Sequence, residues 1–384
     1  MQHENVDAES FQQILDATQR FIEKTLLPLE RQVEEEDAVP ASVAESMREL
    51  GFFGLTIPPE YGGLGISMTQ EAQFLMLMGT TSPAFRYVFS TNIGLGTRGL
   101  LLTGTERQKQ EYLPRFASGE LVAALAMTEP DAGSDAASLK TSARREGDTY
   151  VLNGTKRFIT NAPRADLITV LARTDPAAKG YQGISAFLVP RNSPGLSIGK
   201  PERKMGQHGS QVADVILENV VVPADHLIGE EEGQGFKMAM KVLDRGRINV
   251  ASSAVGMARR LIDESLNYAR ERKQFGQPIA DFQLVQAMLA DCETEYYAAR
   301  CMTLDAAAKL DREGAAVQEA ACAKYFSSEM LSRVADRAVQ IFGGAGYIAE
   351  YPVERLYRDA RVLRLYEGTS QIMQLVIAKN ALRA

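Results

Sequence analysis

The chain has 384 residues, 45% hydrophobic and 24% charged, with a formal net charge of −7. That length exceeds one ordinary hydrophobic core and calls for two or three domains. The acidic balance argues against nonspecific nucleic-acid binding, which needs Lys and Arg in excess. Cys292, Cys301 and Cys322 form no CxxC pair, and the only histidines are His3, His208 and His226. A disulfide framework, a structural zinc site and a Ser-His-Asp triad are therefore poorly supplied, and no metal is expected. Met1-Gln2-His3-Glu4 has no basic or apolar leader character, and no apolar run approaches the roughly 20 residues that span a bilayer. With reduced cysteines, these features lead us to expect a cytoplasmic protein.

In chain order, residues 1–120 read as helices. Phe11, Ile14, Leu15, Thr18 and Ile22 share one helical face, and Pro28 is expected to end or bend that helix. Pro58-Pro59 and Gly62-Gly63 mark a loop, and Thr105-Glu106-Arg107-Gln108 has the form of a capping box. Residues 121–232 change to strand character. Leu121 to Met127 reads as a buried strand, and Asn153-Gly154 between two apolar runs signals a hairpin. Leu167 to Leu171, Ile184 to Val189 and Val212 to Val222 continue the series, as in a small antiparallel barrel or sandwich. Residues 233–384 are helical again. Breaks at Gly276-Gln277-Pro278, Gly314, Gly343-Gly344 and Gly368 predict four long helices in a bundle. The fold class is thus α+β and multidomain.

One turn stands out. In Tyr366-Glu367-Gly368-Thr369-Ser370 a carboxylate sits on a Gly-containing turn between a charged stretch and an apolar helix. Such a glutamate is a general base if its surroundings remove water from it, and a solvated turn residue if they do not.

Five motifs taken together carry a resemblance. They are Met127-Thr128-Glu129-Pro130-Asp131-Ala132-Gly133-Ser134-Asp135, Asn153 to Asn161, Arg272-Lys273-Gln274-Phe275-Gly276, Gln340-Ile341-Phe342-Gly343-Gly344 and Tyr366 to Ser370. In order and spacing the chain resembles the acyl-CoA dehydrogenases along its whole length. The resemblance implies a helical N-terminal domain, a middle β-domain and a C-terminal four-helix bundle. It also implies FAD, a homotetramer built as a dimer of dimers, and electron-transferring flavoprotein as electron acceptor.

The implied reaction removes the α-hydrogen of an acyl thioester as a proton and the β-hydrogen as a hydride, the latter accepted at flavin N5. By the same resemblance Glu367 is the base, with Tyr366 and Gly368 beside it on the substrate. Met127, Thr128, Phe158 and Thr160 meet the flavin ring. Phe158 stands where many members have Trp, and ordinary core packing is its alternative reading. Arg272, Gln274, Phe275, Gln283, Gln340 and Gly344 correspond to positions that reach the partner subunit's cofactor or its adenosine end. Thr369 and Gln371 correspond to contacts just after the base. For coenzyme A, Ser134, Asp244 and Arg247 correspond to contacts along the pantetheine and adenine, with an Asp244–Arg247 ion pair as the alternative for Arg247. Some members carry the base on a C-terminal-domain helix instead. Here the corresponding helix is read as beginning Asp244-Arg245-Gly246-Arg247, without a glutamate.

Substrate choice is less legible. A short- or medium-chain acyl group in a β-oxidation type step is one reading. Arg86 corresponds to the residue that meets the distal carboxylate in glutaryl-CoA dehydrogenases, so an ω-anionic acyl group (a dicarboxylyl or a sulfinate analogue) is another. Gly79 replaces the glutamate those enzymes tie to decarboxylation, which puts that step in doubt. A surface Arg86 paired with an acidic neighbour is the plain alternative. An oxygen-using oxidase and a non-catalytic scaffold of the same fold are the competing functions.

Overall fold

Asp7 accepts the Ser10 N–H at 2.8 Å and opens the first helix of a computed structural model that describes residues 6–382. The N-terminal residues read above for a leader, His3 among them, lie outside the described residues. Helix α1 (Ala8–Phe21) buries Phe11 and Thr18. The chain does not stop at Pro28. A π-helical turn, Ile22–Leu26, is closed by the Leu27 N–H on the Ile22 carbonyl. Helix α2 (Leu27–Glu36) then begins with Pro28 in its first turn, where a missing N–H costs nothing.

Helices α3 (Ala41–Glu49), α4 (Met68–Met78), α5 (Pro83–Tyr87), α6 (Ser90–Ile93), α7 (Arg98–Thr103) and α8 (Glu106–Ala117) complete the N-terminal domain. The Thr105/Gln108 capping box at the start of α8 is formed on both sides. Phe52 is the centre of the domain core, with the rings of Phe74 and Phe89 edge-on to it at 5.0 and 5.4 Å.

The middle domain is one curled sheet of β1 (Ala123–Ala126), β2 (Ser142–Glu146), β3 (Thr149–Thr160), β4 (Leu167–Arg173), β5 (Ile184–Pro190), β6 (Leu196–Ile198) and β7 (Val212–Pro223). The order is β1-β4-β2-β3-β7-β6, with β5 on the other side of β4. Most pairs are antiparallel, while β1 runs parallel to β4. The Asn-Gly signal is overturned. Asn153-Gly154 lies inside β3, where the pairing with β7 slips by a bulge. A side chain at Gly154 would strike Thr141 Oγ1 at 2.4 Å, so glycine is kept for close strand approach and not for a hairpin. The hairpin is at Gly147-Asp148, between Glu146 and Thr149.

The C-terminal bundle has three long helices, α9 (Gly235–Glu271), α10 (Gln283–Glu313) and α11 (Val317–Phe342). The fourth position is filled by shorter pieces, α12 (Pro352–Ala360) and α13 (Ser370–Ala381), because Gly343-Gly344 and Gly368 interrupt the chain. Asp244 lies within α9, which starts at Gly235, where the sequence turns helical again, and not at Asp244.

Two contacts fix the N-terminal domain on the bundle. Glu30 accepts the Ser82 N–H at 2.7 Å and pairs with Arg355 at 2.7 Å and Arg260 at 3.4 Å, which anchors the start of α5. Helices α4 and α9 cross at Gly79 and Gly256, so closely that a methyl on Gly256 would lie 2.1 Å from the Met76 carbonyl oxygen. That obstacle is backbone and cannot swing away. Gly256→Ala is expected to lower stability by about 1–3 kcal/mol, the usual cost of overpacking. Urea denaturation checks this, and an unchanged midpoint would show that the crossing is loose.

Candidate functional site

A cavity of about 830 Å³ opens where the three domains meet. Tyr366, Glu367, Gly368 and Thr369 line it from the C-terminal domain, Met127, Thr128, Phe158 and Thr160 from the sheet, and Arg86, Tyr87 and Leu95 from the N-terminal domain.

The turn carrying Glu367 is locally specified. Glu367 and Gly368 both have positive φ, 53° and 98°. Such a pair turns the chain sharply, and a side chain at position 368 would strike Met373 Cε at 2.4 Å. Thr369 then caps α13 by accepting the Ile372 N–H at 3.2 Å. Lys324, buried on α11, donates to the Gly368 carbonyl at 2.5 Å.

Glu367 is half-buried overall, but its Oε2 is buried and has no hydrogen-bond partner among the described residues. The exposure that remains opens onto the cavity. Burial pushes the carboxyl up to about 7, against the pull of Arg86, Lys324 and Arg247. Burial likewise lowers Lys324 to about 8, although the Glu367 charge opposes this. A carboxyl titrating near neutrality inside a closed cleft is suited to taking up a proton.

Gly246 explains the position of the carboxylate. A Cβ there would lie 2.0 Å from Glu367 Oε2. A side chain at this α9 position would have to displace the Glu367 carboxylate.

Arg86 is not the surface residue of the plain alternative. It is buried, its charge stacks on the Tyr87 ring at 4.6 Å, and its Nη2 lies 3.5 Å from the Tyr366 hydroxyl. It forms no ion pair with a carboxylate within 4 Å among the described residues. Tyr366 is pushed well up by burial, with Tyr87 adding to this. At Gly79, a Cβ would sit 2.9 Å from the Ser253 carbonyl oxygen, so the helix crossing excludes a side chain there.

Arg247 lines the cavity and also pairs with Asp244 at 2.7 Å, so the ion pair holds the guanidinium at the cleft. Asp244 itself is outside the lining. Burial raises its carboxyl, and Arg247 pulls it back. Ser134 is exposed at the mouth.

On the sheet side, Lys156 is fully buried and donates to Glu129 Oε1 at 2.7 Å and to the Met127 carbonyl at 3.2 Å. Glu129 also accepts the N–H groups of Lys140 and Thr141. This ties the Met127–Thr128 segment to β3. Phe158 has φ 58° and is 56% exposed, with Arg157 over its ring at 4.8 Å. Ordinary core packing is therefore excluded for it. It presents an uncovered aromatic face to the cavity beside Thr128 and Thr160, a surface that a planar ring system fits.

Six expected residues are elsewhere. Arg272, Gln274, Phe275, Gln283, Gln340 and Gly344 are exposed and lie at one end of the bundle, where Ile279 packs against Ile341. Phe275 is 94% exposed at φ 52°. Gln371 is exposed on α13, outside the cavity, whereas Thr369 lines it.

Sequence reading missed Lys324 and the cavity residues Arg98, Arg245 and Asn249. A signal existed for two of them. Lys324 interrupts a face of buried small residues at Ala320, Ser327 and Ser328, and Arg245 shares the buried face of α9 with Val242 and Asn249.

Comparison places this geometry in a family. Residues 8–120, 124–220 and 233–382 match the N-terminal, middle and C-terminal domains of acyl-CoA dehydrogenase. The human mitochondrial short-chain specific acyl-CoA dehydrogenase is 42% identical over 98% of this chain and 91% of its own. Subunit CarC of the caffeyl-CoA reductase-Etf complex of Acetobacterium woodii is 45% identical over 92% of each chain. The butyryl-CoA dehydrogenase structure from Megasphaera elsdenii superposes with a TM-score of 0.94 at 37% identity, covering 97% of this chain and 98% of that one. The chain belongs to the acyl-CoA dehydrogenase family and is a flavin-dependent oxidoreductase that uses FAD.

The contact between Glu367 and Gly246 yields a test. Gly246→Ala must displace the carboxylate, and a misplacement near 1 Å costs on the order of 10²-fold in rate. FAD-loaded Gly246→Ala protein is expected to bleach with an acyl-CoA that much more slowly than the parent in anaerobic stopped flow. An equal rate would mean that the carboxylate does not depend on this contact.

Proposed function

We propose that the protein α,β-dehydrogenates an acyl-CoA to the trans-2-enoyl-CoA, with Glu367 as the base. The observation that carries this reading is the buried, unpartnered Oε2 of a carboxyl raised to about 7, facing a cavity large enough for a flavin ring and a thioester. FAD supplies the hydride acceptor. The chain supplies the rest: Glu367 takes the α-proton, and the backbone N–H of Glu367 donates to the thioester oxygen as charge develops there. Closure by Tyr366, Leu95 and Phe158 keeps water out. Met127, Thr128, Phe158 and Thr160 hold the flavin ring. Ser134 and Arg247, the latter oriented by Asp244, take the coenzyme arm, with Tyr366 and Gly368 against the acyl group.

A short or medium acyl chain in a β-oxidation type step fits the short-chain and butyryl-CoA relatives. A second reading, an ω-anionic acyl group held by Arg86, is favoured by a buried guanidinium on the cavity wall without a carboxylate partner. The absence of an acid at Gly79 favours a reaction without decarboxylation.

Electron-transferring flavoprotein is the proposed acceptor, as the Etf complex of one relative suggests. The exposed set of Arg272, Gln274, Phe275, Gln283, Gln340 and Gly344, with Gln371, is proposed to reach the cofactor site of a second copy in a homotetramer. Free cysteines suit a cytoplasmic location. Among the described residues, no helix is long and apolar enough to cross a membrane.

Glu367→Gln is the test. The variant is expected to keep FAD and bind butyryl-CoA, while flavin bleaching falls about 10²- to 10⁴-fold. Near-normal bleaching would place the base elsewhere. In the parent protein, bleaching by glutaryl-CoA but not by butyryl- or octanoyl-CoA would favour the Arg86 reading over the plain one.

A further inference from the structure

One wall of the cavity is unlike the rest. Its polar groups come from the first residue of α7, Arg98, and from Arg245 and Asn249, four residues apart on one face of α9. Arg245 and Asn249 are each 8% exposed. Behind them Glu71 is fully buried, ion-paired with Arg245 and accepting from Asn249 Nδ2 at 2.9 Å.

The charges in this cluster do not cancel. Two guanidinium groups face one carboxylate, and Arg245 already occupies that carboxylate. Arg98 forms no ion pair within 4 Å among the described residues. Burial, with help from Arg245, lowers Arg98 to about 10, which leaves it charged at neutral pH. Arg245 Nε, a donor, is buried without a hydrogen-bond partner among the described residues, as is one acceptor, Asn249 Oδ1. A surplus cation with an unsatisfied donor in a desolvated pocket is costly unless an anion fills it.

The wall is placed to meet an acyl chain. Gly246, which touches Glu367, is adjacent to Arg245 and three residues from Asn249, so the cluster begins within about one helical turn, 5.4 Å, of the base. Gly94 borders Asn249 Nδ2 and has no side chain to block the way. The coenzyme end leaves by Gly133, Ser134 and Asp135, which are exposed at the mouth. Buried Leu75 and Ile93 also line the cavity.

We propose that Arg98, supported by Arg245 and Asn249, is a specificity site for an acyl-CoA whose short chain ends in an oxyanion such as a carboxylate. The planar guanidinium fork of Arg98 matches a carboxylate, and Glu71 holds Arg245 in place. This rests on the dehydrogenase reading and is independent of Arg86, which stands beside Tyr366 with different neighbours.

The test uses FAD-loaded Glu367→Gln protein, in which turnover does not consume the ligand. It is titrated with adipyl-CoA and with hexanoyl-CoA, a pair that differs only at the chain end, and binding is read from the shift in the flavin spectrum. Adipyl-CoA is expected to bind at least about tenfold tighter. Adding Arg98→Leu is expected to cut that preference at least about tenfold. Arg98→Lys, which keeps the charge but not the fork, is expected to cut it by less and serves where Arg98→Leu loses FAD. Tighter binding of hexanoyl-CoA, or an unchanged preference in the Arg98 variants, overturns the inference and leaves the dehydrogenase reading standing. Binding of neither thioester overturns both. A loss of preference in Arg86→Leu with none in Arg98→Leu assigns the anion to Arg86 and overturns the role of Arg98.

Discussion

The site depends on keeping one carboxylate dry without leaving it wholly unsupported. Glu367 is pressed against the bare backbone of Gly246, with Oε2 unpaired with any hydrogen-bond donor among the described residues. Burial alone would drive such a group toward permanent protonation, and a protonated acid cannot accept a proton. Arg86, Lys324 and Arg247 approach from three directions and hold it near 7. Each of them comes from a different element: α5, α11 and α9. The acidity of one side chain is therefore a property of how the N-terminal domain sits on the bundle. The Glu30 cluster and the Gly79–Gly256 crossing set that placement.

The sheet meets a different demand. It must present a flat, partly polar surface to a ring system and hold that surface still. Phe158 supplies the face from a left-handed backbone position, and the buried Lys156–Glu129 pair ties the neighbouring Met127 carbonyl to the strand. Burying an ion pair is costly, but this one is offset by two backbone N–H groups on Glu129 and gives a fixed geometry in return. The same trade of stability for position recurs in the Asp244–Arg247 pair at the cleft.

What could be read from the sequence was local. The Tyr366 to Ser370 turn, the Met127–Thr128 segment and the Phe158–Thr160 segment are contiguous, and their composition reflects local backbone needs. Glycine was harder to read. Gly154 looked like a turn and proved to be a close strand contact, while Gly246 gave no sign of its contact with a residue 121 positions away. Pro28 was read as ending or bending the helix because a π-helical turn, which removes the need for its N–H, has no sequence signature. Charges within helices were the hardest. Arg98 looks like a solvated helix residue until tertiary packing half-buries it, and Arg245 and Lys324 are marked only by the apolar or small residues that share their helix faces. Arg86 could be placed in the chain, but whether it faced solvent or the cavity was decided by packing.

The central claim is that Glu367 is a carboxyl tuned to near neutrality, and its protonation can be observed directly. Infrared difference spectra of the FAD-loaded protein against Glu367→Gln isolate its carboxyl stretch between pH 5 and 9. Because the folded-state value is raised, the protonated band should be full at pH 5 and lost with a midpoint near 7. Flavin reduction by an acyl-CoA should rise over the same range, being about tenfold lower at pH 6 than on the alkaline plateau. A carboxylate already fully ionised at pH 5 would show an ordinary solvated turn residue and contradict the account.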